Sequence, residues 1–135
     1  MDAIAGFDAE LFRLINNSLT SPFLDILMPY VTEKFNFLGV IIAAAVLIIV
    51  LGKRQDRIGL LLLVALVLLS DLAANTLKGV LARTRPCNAM DGVRLLVGCG
   101  SSFSMPSGHA TNIFAAMVFL STRYKRFMPL FLVFA

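Results

Sequence analysis

Asp71, Asn75 and Lys78 stand at i, i+4 and i+7 near the end of an apolar run, so a helix there carries them on one face. Continuing the same pitch brings Arg85, followed by Pro86, onto that face as well. Polar groups within hydrocarbon are costly and turn toward a bundle interior or a wet cavity. Asp71 and Asn75 alone fit an interhelical hydrogen-bond patch that does no more than hold helices together. Lys78 with Arg85-Pro86 fits better the binding of an anion.

A second constellation, Ser104-Met105-Pro106-Ser107-Gly108-His109, precedes the apolar stretch that opens with Ala110-Thr111. Ser107 is suited to cap a helix, and Gly108 permits close backbone approach. The free N–H groups and positive dipole end of such a helix start attract anions. His109 stands where a proton donor to a leaving group belongs. A plain helix cap with a bystander histidine accounts for the same residues.

Taken together the two stretches are more specific. Lys78, six residues, then Arg85-Pro86 resembles the first signature of the type-2 phosphatidic acid phosphatase superfamily, which also includes vanadium haloperoxidases and bacterial undecaprenyl-diphosphate phosphatases. Pro106-Ser107-Gly108-His109 resembles the second, in the family's order. The resemblance implies a helical membrane bundle with a metal-independent phosphatase site on its outer side and no cofactor. It implies that Lys78 and Arg85 bind phosphate oxygens and stabilise transition-state charge. Ser107 and the backbone of Gly108 would hydrogen-bond the same phosphate, and His109 would protonate the leaving lipid oxygen. Pro86, Pro106, Asp71 and Asn75 would support them. The family's nucleophilic histidine, which forms a phosphohistidine, belongs to a third signature that these residues lack, and His109 is the sole histidine. The expectation is therefore a piece ending before the third signature: an enzyme as a whole gene product, but as 135 residues a binder of phosphate without turnover.

The elements that must position these residues are membrane elements. Hydrophobic residues make up 59% of the chain and charged ones 15%, with a mean hydropathy of +0.86, a composition that a water-soluble domain of this size would have to expose. Net charge is +4, but the basic residues are scattered among apolar runs, which argues against nucleic-acid binding. Two cysteines and one histidine offer no metal cluster.

The fold expected is all-α, a polytopic transmembrane helical bundle forming one domain over residues 1–135. Residues 1–34 form an interfacial arm: an amphipathic helix from Asp8, its N-cap, to Leu19, then a short apolar stretch broken by Pro29. The N-terminus does not read as a cleavable signal peptide. Spans are expected at about 35–52, 58–78 and 109–122, with a further span starting at 127–135, each judged against the roughly 20 residues a bilayer core requires.

The basic turns Lys53–Arg57 and Arg123–Arg126 place that end in the cytoplasm by the positive-inside rule. The loop 79–108 then faces the periplasm or exterior of a bacterial plasma membrane. Its cations, Arg83 and Arg94 among them, run against the rule unless an anionic substrate explains them. Cys87 and Cys99 could pair in an oxidising compartment or remain thiols.

Substrates open on this reading are undecaprenyl diphosphate, phosphatidic acid and phosphatidylglycerol phosphate, entering from the plane of the membrane lipids. A catalytically silent relative that binds lipid phosphate or partner membrane proteins is the alternative. A transporter fragment lacks the expected paired broken helices. Oligomeric state is not legible.

Overall fold

The computed structural model describes residues 2–33 and 35–133, and all regular elements among them are helical. The expected arm and final apolar run extend onto Met1, Lys34, Phe134 and Ala135, which lie outside the described residues. Contacts divide the chain into two compact units, Met1–Gly39 with Thr84–Ser102, and Val40–Arg83 with Phe103–Ala135.

In the first unit, helix α1 spans Asp2–Arg13 and continues into a wide π-helical turn over Leu14–Ser18. Asp8 therefore lies inside the helix and does not cap it, because the alanine-rich residues before it are themselves good helix formers. Helix α2, Pro22–Thr32, starts with Ser21 as N-cap, whose Oγ accepts the Leu24 N–H at 3.2 Å. Pro29 lies within α2 and does not break it. So near the C-terminus its missing N–H forfeits one ladder bond. Helix α3, Phe35–Leu51, runs through the division between the units.

The second unit is built on helix α4, Arg54–Leu81, and helix α6, Gly108–Arg123, the most extensively packed pair of helices. They are antiparallel, since Asp56 in the first turn of α4 meets Arg123 in the last turn of α6, while Asp71 meets Asn112 near the other end. Both expected basic turns thus share one end of the pair. Helix α4 begins earlier than expected because Asp56 accepts the Lys53 N–H at 3.1 Å, so the basic turn is the helix's own first turn. Only Gly52 and Lys53 separate α3 from α4. The two buried residues among those described, Ala74 of α4 and Ser121 of α6, are both small. A short helix, α5 (Pro86–Ala89), belongs to the first unit, and α7 (Met128–Val133) packs on α6 in the second.

The stretch Arg54–Ala89, α4 with α5 after it, is long and apolar enough to cross a membrane, and α2 with α3 read as one bent segment would give a second. Almost none of the apolar surface of Arg54–Ala89 is buried within the chain.

Candidate functional site

In the second unit the polar stripe of α4 meets the start of α6. Ser107 is the N-cap there: its Oγ accepts the Ala110 N–H at 3.3 Å, and its carbonyl accepts the Thr111 N–H at 2.9 Å and the Thr111 hydroxyl at 2.7 Å. The N–H groups of Gly108 and His109 fall in the first turn, where no intrahelical acceptor exists. A Cβ on Gly108 would stand 3.6 Å from Lys78 Nζ and 3.7 Å from Asp71 Oδ1. The lysine ammonium and the aspartate carboxylate therefore converge on the helix start. Among the described residues the ammonium takes part in no hydrogen bond or ion pair. His109 is exposed on the same first turn.

Asp71 is held from two sides. Its Oδ2 accepts from Asn75 Nδ2 at 3.0 Å, as the i, i+4 spacing predicts, and its Oδ1 accepts from Asn112 Nδ2 at 3.2 Å across the α4–α6 seam. The other end of that amide, Asn112 Oδ1, is buried with no hydrogen-bond partner. Sequence reasoning passed over Asn112. Its signal was an amide in an otherwise apolar helix, at a cost that only a polar neighbour offsets.

Arg85 departs from expectation. Helix α4 stops at Leu81, and Ala82 takes the left-handed conformation (φ 44°, ψ 32°) while its N–H closes on the Lys78 carbonyl at 2.9 Å. That turn ends the helical pitch, so Arg85 is extended (φ −69°, ψ 142°) at the start of α5, with Pro86 at N1. Its guanidinium is anchored within the first unit. Nε–H donates to the Ser102 carbonyl at 2.6 Å and Nη2–H to Ser102 Oγ at 2.8 Å, and the group lies 3.4 Å from where a Cβ on Gly100 would be. Nη1 has no partner among the described residues. Cys87 and Cys99 form a disulfide that flanks this anchor. No feature of the sequence marked out Ser102.

Arg94, one of the loop cations that an anionic substrate would explain, is neutralised instead by a carboxylate of the chain. It pairs in two-pronged fashion with Asp25, Nη1–H donating at 2.8 Å, and that hydrogen bond raises its pKa above the ordinary value. Asn16 clamps the Arg94 backbone, donating to its carbonyl at 2.9 Å and accepting its N–H at 2.7 Å. The loop is thereby stitched to α2 and to the wide turn after α1.

An unpaired ammonium beside a capped helix N-terminus, in an all-helical chain, is an arrangement suited to an anion. The chain belongs to the PAP2 superfamily, whose model matches residues 59–135, a stretch that includes Lys78, Arg85, Ser107, Gly108 and His109. It is similar to the undecaprenyl-diphosphatase of Sulfolobus acidocaldarius, with 32% identity over 123 residues that cover 91% of this chain and 58% of that protein. The chain thus spans little more than half the length of that relative. No solved structure matches it.

Proposed function

We propose that the protein is a membrane-embedded lipid phosphate phosphatase, acting on a lipid phosphomonoester or diphosphate. One observation carries the reading: an ammonium with no ion-pair partner among the described residues, Lys78, is held at the positive end of α6. Like charges are brought together there at a cost unless an anion sits between them. A phosphate satisfies every free group at once. Its oxygens would accept from Lys78, from the first-turn N–H groups of Gly108 and His109, and from the Ser107 hydroxyl, whose proton the cap does not use. Arg85 joins the proposal on its place in the sequence motif. Its Ser102 anchor supports the role, because an oriented guanidinium loses less freedom on gripping an oxyanion. These side-chain cations would do what a metal does in other phosphatases. His109 would donate its proton to the leaving lipid oxygen. Pro86 and Pro106 would stiffen the backbone on either side, and Asp71 and Asn75 would hold Lys78.

The membership and the relative's name support a lipid phosphate as substrate. Undecaprenyl diphosphate, phosphatidic acid and phosphatidylglycerol phosphate are the candidates. Helices α3, α4 and α6 would cross the bilayer, with α1 and α2 at its surface and the Lys78 end facing the periplasm or exterior. Leucines 61, 68 and 69 of α4 are all at least 64% exposed, as a lipid-facing surface requires.

A second reading, a silent member that binds without cutting, draws on one fact. A phosphohistidine route requires two histidines where one is acid, and the 135 residues, which span 58% of the relative's length, hold one, His109. Titration with orthovanadate and inorganic phosphate, run beside phosphate-release assays on the three lipids, separates the two. Binding weakened about tenfold or more by Lys78→Ala, the scale of a charge-assisted contact, supports the site. Binding that Lys78→Ala leaves untouched overturns it. Release from lipid marks an enzyme and binding without release the silent member, while turnover that survives His109→Ala would sink the acid role.

A further inference from the structure

The end of the α4–α6 pair remote from Lys78 has its own chemistry. The turn with Lys53, Arg54 and Arg57 and the turn with Arg123, Lys125 and Arg126 lie at this end, joined by Asp56 and Arg123, and Asp56 is the one carboxylate of the two turns. Asp56 is shared: Oδ2 accepts the Lys53 N–H at 3.1 Å, and Oδ1 stands 3.6 Å from Arg123 Nη2, too long for a good hydrogen bond. The Arg123 guanidinium therefore keeps donors to spare. It lies across α4 at Gly59, where a Cβ would be 3.4 Å from Nε, and borders a cleft of about 450 Å³. Ile58, Leu62 and Phe119 make the apolar wall of this cleft, and Gln55 and Thr122 join Arg123 as its polar groups.

We infer that this cleft is a second lipid site, binding the head group of an anionic phospholipid at Arg123 with an acyl chain along Leu62 and Phe119. The occupant follows from the lining. A free anion leaves the apolar wall uncovered, and a zwitterionic lipid leaves the surplus of cations uncompensated, whereas basic pockets between helices on the cytoplasmic side suit acidic head groups. The inference rests on the proposed placement of α4 and α6 in a bilayer. It does not rest on the phosphatase reading, because Lys78 is about 28 Å beyond Gly59 along α4 at 1.5 Å per residue.

The test is native mass spectrometry of the chain released from nanodiscs of equal parts phosphatidylglycerol and phosphatidylcholine. Retention of phosphatidylglycerol over phosphatidylcholine by about fivefold, the effect of one cation near an anionic surface, is expected. Arg123→Gln, and Gly59→Leu, which fills the cleft, are expected to abolish that preference, with Lys78→Ala keeping it; Arg123→Gln decides alone where Gly59→Leu does not fold. Equal retention of the two lipids, or a preference that survives Arg123→Gln, overturns the site. So does its loss in Lys78→Ala, which would locate the lipid at the other end and favour the phosphatase reading. Full displacement by millimolar inorganic phosphate would make the cleft a phosphate site instead. A chain that does not enter nanodiscs overturns the inference along with the membrane placement.

Discussion

Asn112 on α6 donates a hydrogen bond to Asp71 on α4 at 3.2 Å, tying the helix that starts at Gly108 to the helix that carries Lys78. The same carboxylate lies close enough to Gly108 to balance the ammonium while leaving it unpaired. Asn112→Ala removes this bond, worth about 1 kcal/mol, together with a buried orphan oxygen, so stability should change by less than that. Asn112→Asp sets a second carboxylate against Asp71 and should lose on the order of 2 kcal/mol or more. Thermal unfolding in detergent orders the three proteins. Equal stability of the aspartate variant would show that the two side chains do not meet.

Gly108 offers a cleaner separation of fold from binding. A methyl at this position makes ordinary van der Waals contact with Lys78 Nζ and Asp71 Oδ1, and alanine is a better helix former than glycine. Gly108→Ala should unfold no earlier than the parent. The methyl occupies the gap between the ammonium and the first-turn N–H groups, so vanadate or phosphate affinity should fall about tenfold, on the scale of one lost charge-assisted hydrogen bond. A variant that binds as well as the parent would move the anion off the helix start.

The site was legible in the sequence wherever spacing within one helix sufficed. Asp71 and Asn75 meet as their i, i+4 separation requires, and Ser107 caps the helix that its position before an apolar run announced. Arg85 was misplaced because the helical pitch was carried past Leu81. Ala82 in the left-handed region ends the helix, and alanine gives no hint of that conformation in the way glycine does. Contacts distant in sequence were unreadable in advance. Ser102 beneath Arg85 and Asp25 opposite Arg94 became visible only as geometry, the latter turning an expected free cation into a neutral pair. Pro29 misled in the opposite direction, since a proline one turn from a helix end forfeits too little to stop it.

The Cys87–Cys99 disulfide should be detectable directly. Unreduced protein should take up no alkylating agent, and reduced protein two adducts per chain, by intact mass. On the chain-entropy model a loop of this size contributes about 3 kcal/mol, so reduction should lower the unfolding temperature measurably. Because the bridge flanks the Ser102–Arg85 anchor, reduction should weaken anion binding in the parent more than in Ser102→Ala, where the anchor is already lost. Equal weakening in the two would separate the disulfide from Arg85.

Two substitutions at opposite ends of α4 should act with opposite signs. At its C-terminus, Ala82 holds φ at 44°, a region that costs an L-residue about 1 kcal/mol, while its N–H closes the last turn onto the Lys78 carbonyl. Ala82→Gly removes that strain and keeps the bond. The gain outweighs glycine's extra freedom in the unfolded chain, and a net stabilisation of roughly 0.5 kcal/mol is expected. At the α3–α4 turn the reverse holds. A Cβ on Gly52 would collide with the Ile48 carbonyl oxygen, which is backbone and cannot swing aside. Gly52→Ala must therefore shift the two-residue connection and should cost about 1–3 kcal/mol, the usual penalty for overpacking. Denaturant titration of both variants against the parent decides the matter. A destabilised Ala82→Gly would mean that the left-handed turn is not what ends α4 after Lys78, and the geometry that presents this lysine to the start of α6 would need another cause.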